Sequence, residues 1–384
     1  MNIQRESKIT NKKTSGLILT LVAILPFLFH FIGINSLLTS ETNIIVTSIL
    51  LTLCWIICYY NAVSWMDILF LIVNLGVLII NVIINGSLGC VLTSFNIILF
   101  LMILRRTTFS LRQVQMLRGA VILLFAVLFL SFEYNWGYGA LRVYNGGNWI
   151  NPNTFGLMWL ALFFYLITYI DATNNSKIAK TFLYTIVTIV SMTFIILSGC
   201  RSVFFAVLFF VVLIMIKKIN YKRTAIFLLL VGLIFPVVYT MLSEVWPDAT
   251  FMGKNLFSGR EFVWKNTWEY IKLSPVIGTG TRNILNIVDD ISLSSAHNTY
   301  LAFWRMTGVF SLISVIVYVV KHMKDKKISP NNIVSHKAFL ACMVVFVFET
   351  VLNDNNYNFL FMLLLMTVEN AGNPAIAKEK RYDT

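Results

Sequence analysis

Apolar runs of about membrane-crossing length follow one another along almost the whole chain, parted by short polar connections. A spanning helix needs about 20 mostly apolar residues. Runs of this kind centre on 17–38, 43–60, 66–84, 88–104, 119–132, 153–170, 181–197, 202–216, 224–242, 297–320, 338–352 and 357–369. Of the 384 residues, 58% are hydrophobic and 12% charged, against about a quarter charged in soluble domains. The pattern predicts an all-α polytopic membrane protein, a single transmembrane domain over residues 1–384 with about 12 helices. For the last two runs the alternative is one re-entrant pair around Asn353-Asp354-Asn355-Asn356. The first run follows Arg5, Lys8, Lys12 and Lys13 but is too long for a signal-peptide core and lacks a small-residue cleavage site, so it reads as a retained span.

The formal charge of +13 does not imply a nucleic-acid partner, because the basic residues lie in short clusters between apolar runs. There they orient helices. With 12 spans and the N-terminus inside, 22 of the 30 lysines and arginines face the cytoplasm, and both termini are cytoplasmic. The eight left outside are Arg142, Arg201, Lys254, Arg260, Lys265, Lys272, Arg282 and Arg305. Two sizeable external segments result, one over 133–153 and a larger one over 243–296. Loops of that length in a compact bundle are usually functional. Five scattered cysteines form neither a disulfide framework nor a zinc-ligand pattern.

Within the larger loop, Ser258-Gly259-Arg260-Glu261 has the spacing of a capping box that starts a helix at Ser258. Trp264, Trp268 and Ile271 then share one face, Glu261, Lys265, Glu269 and Lys272 another, and Ser274-Pro275 stops the run. A short amphipathic helix of this kind suits the membrane surface or a cavity mouth. Arg260 falls in its first turn, where backbone N–H groups already favour an anion and a guanidinium adds a phosphate fork; the competing reading is a solvated arginine. Arg201, in the tight hairpin Leu197-Ser198-Gly199-Cys200-Arg201-Ser202, and Arg305, two turns into a later span, either face a cavity or partner or snorkel to the interface. Glu349 is a candidate partner for Arg201 or Arg305.

His297 stands where the large loop re-enters the apolar region, in Ser294-Ser295-Ala296-His297-Asn298-Thr299-Tyr300-Leu301. An imidazole ordinarily titrates near ~6.5 and suits general-base work; the alternative is an interfacial histidine bonded to a neighbour. His30 reads as structural, and His322 and His336 as solvated surface. Asn151-Pro152-Asn153 is turn chemistry whose amides also suit sugar hydroxyls. Pro275-Val276-Ile277-Gly278-Thr279-Gly280 reads as a tight turn. Nucleotide-binding, esterase-elbow and zincin signatures are absent from the sequence.

Together these pieces resemble the O-antigen ligase and polysaccharide polymerase (Wzy-type) family of bacterial membrane glycosyltransferases. The element His-[Asn/Ser/Gln]-x9-Gly-x-x-Gly is met by His297-Asn298 and Gly308, with Ser311 in place of the last glycine. Arg201 in Ser-Gly-x-Arg and Arg260 in Gly-Arg-x-x-x-Trp correspond to the family's substrate-phosphate arginines, and Pro275-x-x-Gly278-x-Gly280 and Asn151-Pro152-Asn153 recur in similar places. The resemblance implies a GT-C-like helical bundle with one large external loop in the bacterial cytoplasmic membrane. The donor it implies is an oligosaccharide on undecaprenyl pyrophosphate, transferred with inversion to an acceptor hydroxyl and without metal or cofactor. It makes His297 the base, Arg201 and Arg260 the pyrophosphate clamps, and Asn298 a substrate-binding group that orients the imidazole or the sugar. Arg142, Arg282, Arg305, Asn151 and Asn153 become further substrate contacts. A chain-length regulator and a flippase of the same pathway are the implied partners. A repeat-unit polymerase is the favoured activity; ligase-type transfer, a lipid-linked oligosaccharide flippase and a membrane O-acyltransferase are the alternatives.

Overall fold

The computed structural model describes residues 40–59, 64–85, 95–96, 99, 102–103, 111–137, 140–145, 147–173, 176–216, 218–251, 254–257, 259–280, 296–325 and 333–349. Helices α1 (Ser40–Tyr59), α2 (Trp65–Asn85) and α3 (Leu111–Ser131) lead into a three-stranded antiparallel sheet of β1 (Glu133–Gly137), β2 (Ala140–Asn145) and β3 (Asn148–Ile150). Then come α4 (Pro152–Thr173), α5 (Lys177–Ser198), α6 (Arg201–Met215) and α7 (Tyr221–Val245). A two-stranded hairpin of β4 (Thr250–Phe251) and β5 (Lys254–Asn255) precedes α8 (Arg260–Leu273), α9 (Thr299–Asp325) and α10 (Ile333–Phe348).

Nine of the twelve expected spans coincide with helices, and 88–104 is helical at its few described positions. The spans at 17–38 and 357–369, His30 and the Asn353–Asn356 turn lie outside the described residues. Among the described residues, five helices, α2, α4, α5, α7 and α9, are long and apolar enough to cross a membrane. The mostly helical chain is consistent with a polytopic membrane protein. Side chains such as Ile83, Ile178 and Phe227 are exposed on α2, α5 and α7, an apolar surface of the kind that faces lipid. By contrast α4 is central and buried along most of its length. Its Trp159 stacks between Phe129 of α3 and Phe194 of α5, with ring centroids 4.6 and 4.4 Å away.

The all-α expectation for the chain is modified at 133–153, expected as an external segment, where a small sheet forms. Aromatic and β-branched residues alternate there with polar ones, and the stretch is too short and too polar to span. Tyr134 and Val143 pair across the sheet, as do Asn135 and Arg142, and Gly147 turns β2 into β3 with φ 79°. Asn151 then caps α4: its side-chain oxygen accepts from Asn153 N at 2.8 Å, with Pro152 as the first helical residue.

Chain alternation brings the sheet, the α5–α6 hairpin, the segment between α7 and α9, and the end of α10 to one end of the bundle. The other end holds buried cations on helix termini. Lys337 Nζ donates to Ile216 O at 3.0 Å and Ile214 O at 3.4 Å, closing α6, where carbonyls lack intrahelical partners. Arg118 donates to Thr168 O at 3.1 Å on α4. His336 is buried edge-on against Tyr221, with ring centroids 5.5 Å apart, so it is not solvated surface. The side chain of His322 is outside the described set.

Candidate active site

Gly308 has φ 77° and ψ 170° inside α9, which breaks the helix. Val309 N therefore cannot reach Arg305 O, its usual partner four residues back. It donates to Pro275 O at 2.9 Å, while Arg305 O accepts from Thr279 N at 2.7 Å. The Pro275–Gly280 turn thus fills the break as a reciprocal backbone pair. Asn81 of α2 seals it, donating to Ile277 O at 3.0 Å and Met306 O at 2.8 Å. Irregular backbone at membrane depth is tolerated only when its polar groups are satisfied in this way. Ser311, in place of the family's second glycine, donates to Asn74 Oδ1 at 2.5 Å and ties α9 to α2.

The start of α9 is held as firmly. Pro236 in α7 has no N–H, so Gly232 O, four residues earlier, loses its helical partner. Asn298 Nδ2 donates to that carbonyl at 3.0 Å and to Val347 O in the last turn of α10 at 3.0 Å. Its Oδ1 accepts from Leu301 N at 2.9 Å, making Asn298 the N-cap of α9. Asn298 is fully buried, so its amide is an interhelical tie and a helix cap instead of a group open to a sugar.

His297, one residue earlier, has φ 45°, the one positive φ of a non-glycine residue among the described residues. Such a backbone costs of order 1–3 kcal/mol and persists where its surroundings enforce it. The enforcing contacts are the Asn298 bonds, Thr299 Oγ1 donating to Glu349 O at 2.7 Å, and the imidazole itself, whose Nδ1 lies 3.3 Å from Glu349 Oε2.

Glu349, the first residue past α10, is the hub. Its Oε1 accepts from Arg260 Nη2 at 2.6 Å and from Ser202 Oγ at 3.3 Å. Burial opposes its charge, but the Arg260 guanidinium and the His297 hydrogen bond outweigh that and hold the carboxyl below its ordinary pKa. The side chains of Arg260 and His297 keep 12% and 24% exposure against 3% for Glu349, so the two reach solvent from an anchored position. Arg201 completes the group: its Nη1 donates to Asn255 O at 2.6 Å and Leu256 O at 3.2 Å, and Arg260 lies within its electrostatic reach. Tyr239 OH shares Leu256 O, at 2.6 Å. Two guanidinium groups around one carboxylate leave a surplus positive charge suited to an anion.

Sequence expectations fare unevenly. Arg201, Arg260 and His297 come together. Glu349 pairs with Arg260, not with Arg201 or Arg305. The helix of the large loop begins at Arg260 with Gly259 as N-cap, at φ 77° and without a side-chain cap, so the capping box does not form. Its tryptophan face packs inward, with Trp264 fully buried and donating to Ala296 O at 2.8 Å, so that face is turned to the protein and not to lipid. Arg142, Asn151 and Asn153 stand at the same end of the bundle but in the sheet and the α4 cap. Arg305 is buried beside the break in α9, and Arg282 lies outside the described residues.

Residues 186–316 match a family model described as O-antigen ligase. No curated protein matches the chain. The matched segment runs from within α5 to past the break in α9 and carries Arg201, Arg260 and His297 but not Glu349, and it supports membership of the O-antigen ligase/Wzy-type family.

Proposed function

We propose that this protein is a membrane glycosyltransferase that moves a glycan from undecaprenyl pyrophosphate to an acceptor hydroxyl at the outer face of a bacterial cytoplasmic membrane. The observation that carries this reading is the meeting of His297, Arg260 and Arg201 at Glu349, inside and beside the segment matched to the ligase family. The acceptor oxygen attacks the anomeric carbon as the bond from that carbon to the pyrophosphate oxygen breaks, with inversion. The acceptor proton passes to His297, an effect typically worth about 10²–10⁴-fold. Arg201 and Arg260 receive the charge that develops on the departing pyrophosphate. Asn298 acts indirectly, by holding the backbone on which His297 sits.

The family description favours ligase-type transfer of a finished glycan to a different acceptor over the repeat-unit polymerisation expected from the sequence. Both reactions change the same bonds, so the product decides between them. Purified protein is incubated with a synthetic undecaprenyl-pyrophosphate oligosaccharide, alone and with a lipid A-core acceptor. One added glycan on the acceptor identifies a ligase; a ladder on the donor lipid identifies a polymerase. His297→Ala, correctly inserted, is expected to lose about 10²–10⁴-fold in rate. Wild-type turnover by that variant would remove His297 as base.

A further inference from the structure

We propose that Glu349, which lies beyond the family-matched segment, is a positioning residue that sets the tautomer of His297 and couples it to Arg260. This inference rests on the reading of His297 as a base. The carboxylate touches three separate pieces of chain, Ser202 in α6, Arg260 in α8 and His297 before α9, while the backbone carbonyl of Glu349 accepts from Thr299 Oγ1. The charged groups facing it are Arg260, His297 and, further off, Arg201; the Cys200 thiol also lies within its field.

An ionised carboxylate only accepts hydrogen bonds. Arg260, 2.6 Å from one oxygen, favours the ionised form. The other oxygen stands 3.3 Å from His297 Nδ1, so Nδ1 is the nitrogen that carries the proton. In the neutral imidazole Nε2 then keeps its lone pair, the state a base requires before it takes a proton from an acceptor hydroxyl. A reversed tautomer would set an Nε2–H toward the acceptor and Nδ1 against a carboxylate, lone pair to lone pair. The same carboxylate orients the guanidinium proposed to meet the pyrophosphate, so base and clamp keep a common reference point. The positive φ of His297 fits this assignment, because a strained backbone is retained where a side chain must point one way.

The test is nitrogen NMR on the full chain labelled with ¹⁵N-histidine in lipid nanodiscs at mildly alkaline pH. The chain has four histidines, and the His297→Gln spectrum identifies the signal of interest. Wild-type His297 is expected to be predominantly the Nδ1–H tautomer. Glu349→Gln is expected to turn that tautomer into a minority, and the milder Glu349→Asp to shift its Nδ1 resonance without abolishing it. An Nε2–H tautomer in the wild type overturns the proposal without recourse to any Glu349 variant, and so does an Nδ1–H signal unmoved by Glu349→Gln and Glu349→Asp. If the tautomer responds as expected while His297→Ala retains full transfer activity, the base assignment fails and the positioning role of Glu349 stands.

Discussion

At the scale of single residues, Glu349 has a charge state that pH can report. Its carboxyl titrates below the ordinary value of 4.5 because Arg260 and His297 stabilise the ionised form more than burial penalises it. A depressed native pKa contributes stability that is complete above the unfolded-state value and is lost only as pH falls through the lower native one. Removing one member of a buried ion pair typically costs about 3–5 kcal/mol, so Glu349→Gln should unfold at lower temperature than wild type near neutral pH. The gap should not close as pH falls to about 4.5, and should close only below it. Thermal unfolding of detergent-solubilised protein across that range checks this, and a gap that closes between pH 6 and 5 would show that the carboxyl is not held charged. Glu349 was visible in the sequence as an acidic residue ending an apolar run, which is costly without a partner. Its partner was not visible, since 89 residues separate it from Arg260.

At the scale of elements, the broken helix α9 is the feature on which the site is hung. A Cβ at Gly308 would run into the Val276 carbonyl, and φ 77° strains any other residue there. Gly308→Ala is expected to destabilise by more than the about 1–3 kcal/mol of backbone strain alone. Gly76 in α2 is the control, because a Cβ there meets nothing within 4 Å. Gly76→Ala should be neutral or stabilise by about 0.5–1 kcal/mol. Equal thermal shifts in the two variants would mean that α9 runs straight through residue 308. The resemblance to a family motif marked this glycine, and the Pro275–Gly280 turn was visible through its own residues. That the turn fills the helix break was not legible, because the backbone exchange between Pro275 and Val309 leaves no side-chain pattern. Pro236 is similar: it is plain in the sequence, but the carbonyl it frees found its donor in Asn298 only through packing of α7 on α9.

At the scale of the whole molecule, the end of the bundle that gathers Arg201, Arg260, His297 and Glu349 is proposed to face outward, from the distribution of lysine and arginine. Single cysteines at Asp248, exposed between α7 and β4, and at Lys218, exposed between α6 and α7, report the two ends. A membrane-impermeant maleimide applied to intact cells should label Asp248→Cys and spare Lys218→Cys. The described native cysteines, Cys54, Cys200 and Cys342, are buried and give little background. Labelling in the opposite order would place the site on the cytoplasmic side and end the outer-face glycan-transfer reading.

Periodicity and composition by themselves determined that the chain is helical and apolar and where most helices begin and end, and they put Arg201, Arg260 and His297 toward one side together with six other cations; the resemblance to a family singled out those three. Those properties are local: a run of apolar residues specifies a helix whatever packs beside it, and the charge bias is carried by the lysines and arginines of the short connections themselves. Tertiary structure alone decided the small sheets, the inward face of α8, the capping role of Asn298 and the meeting of Arg260 and His297 on Glu349. These depend on contacts between segments far apart in the chain, where the low dielectric of a packed interior makes each unpaired donor, acceptor or charge costly enough to select a single partner.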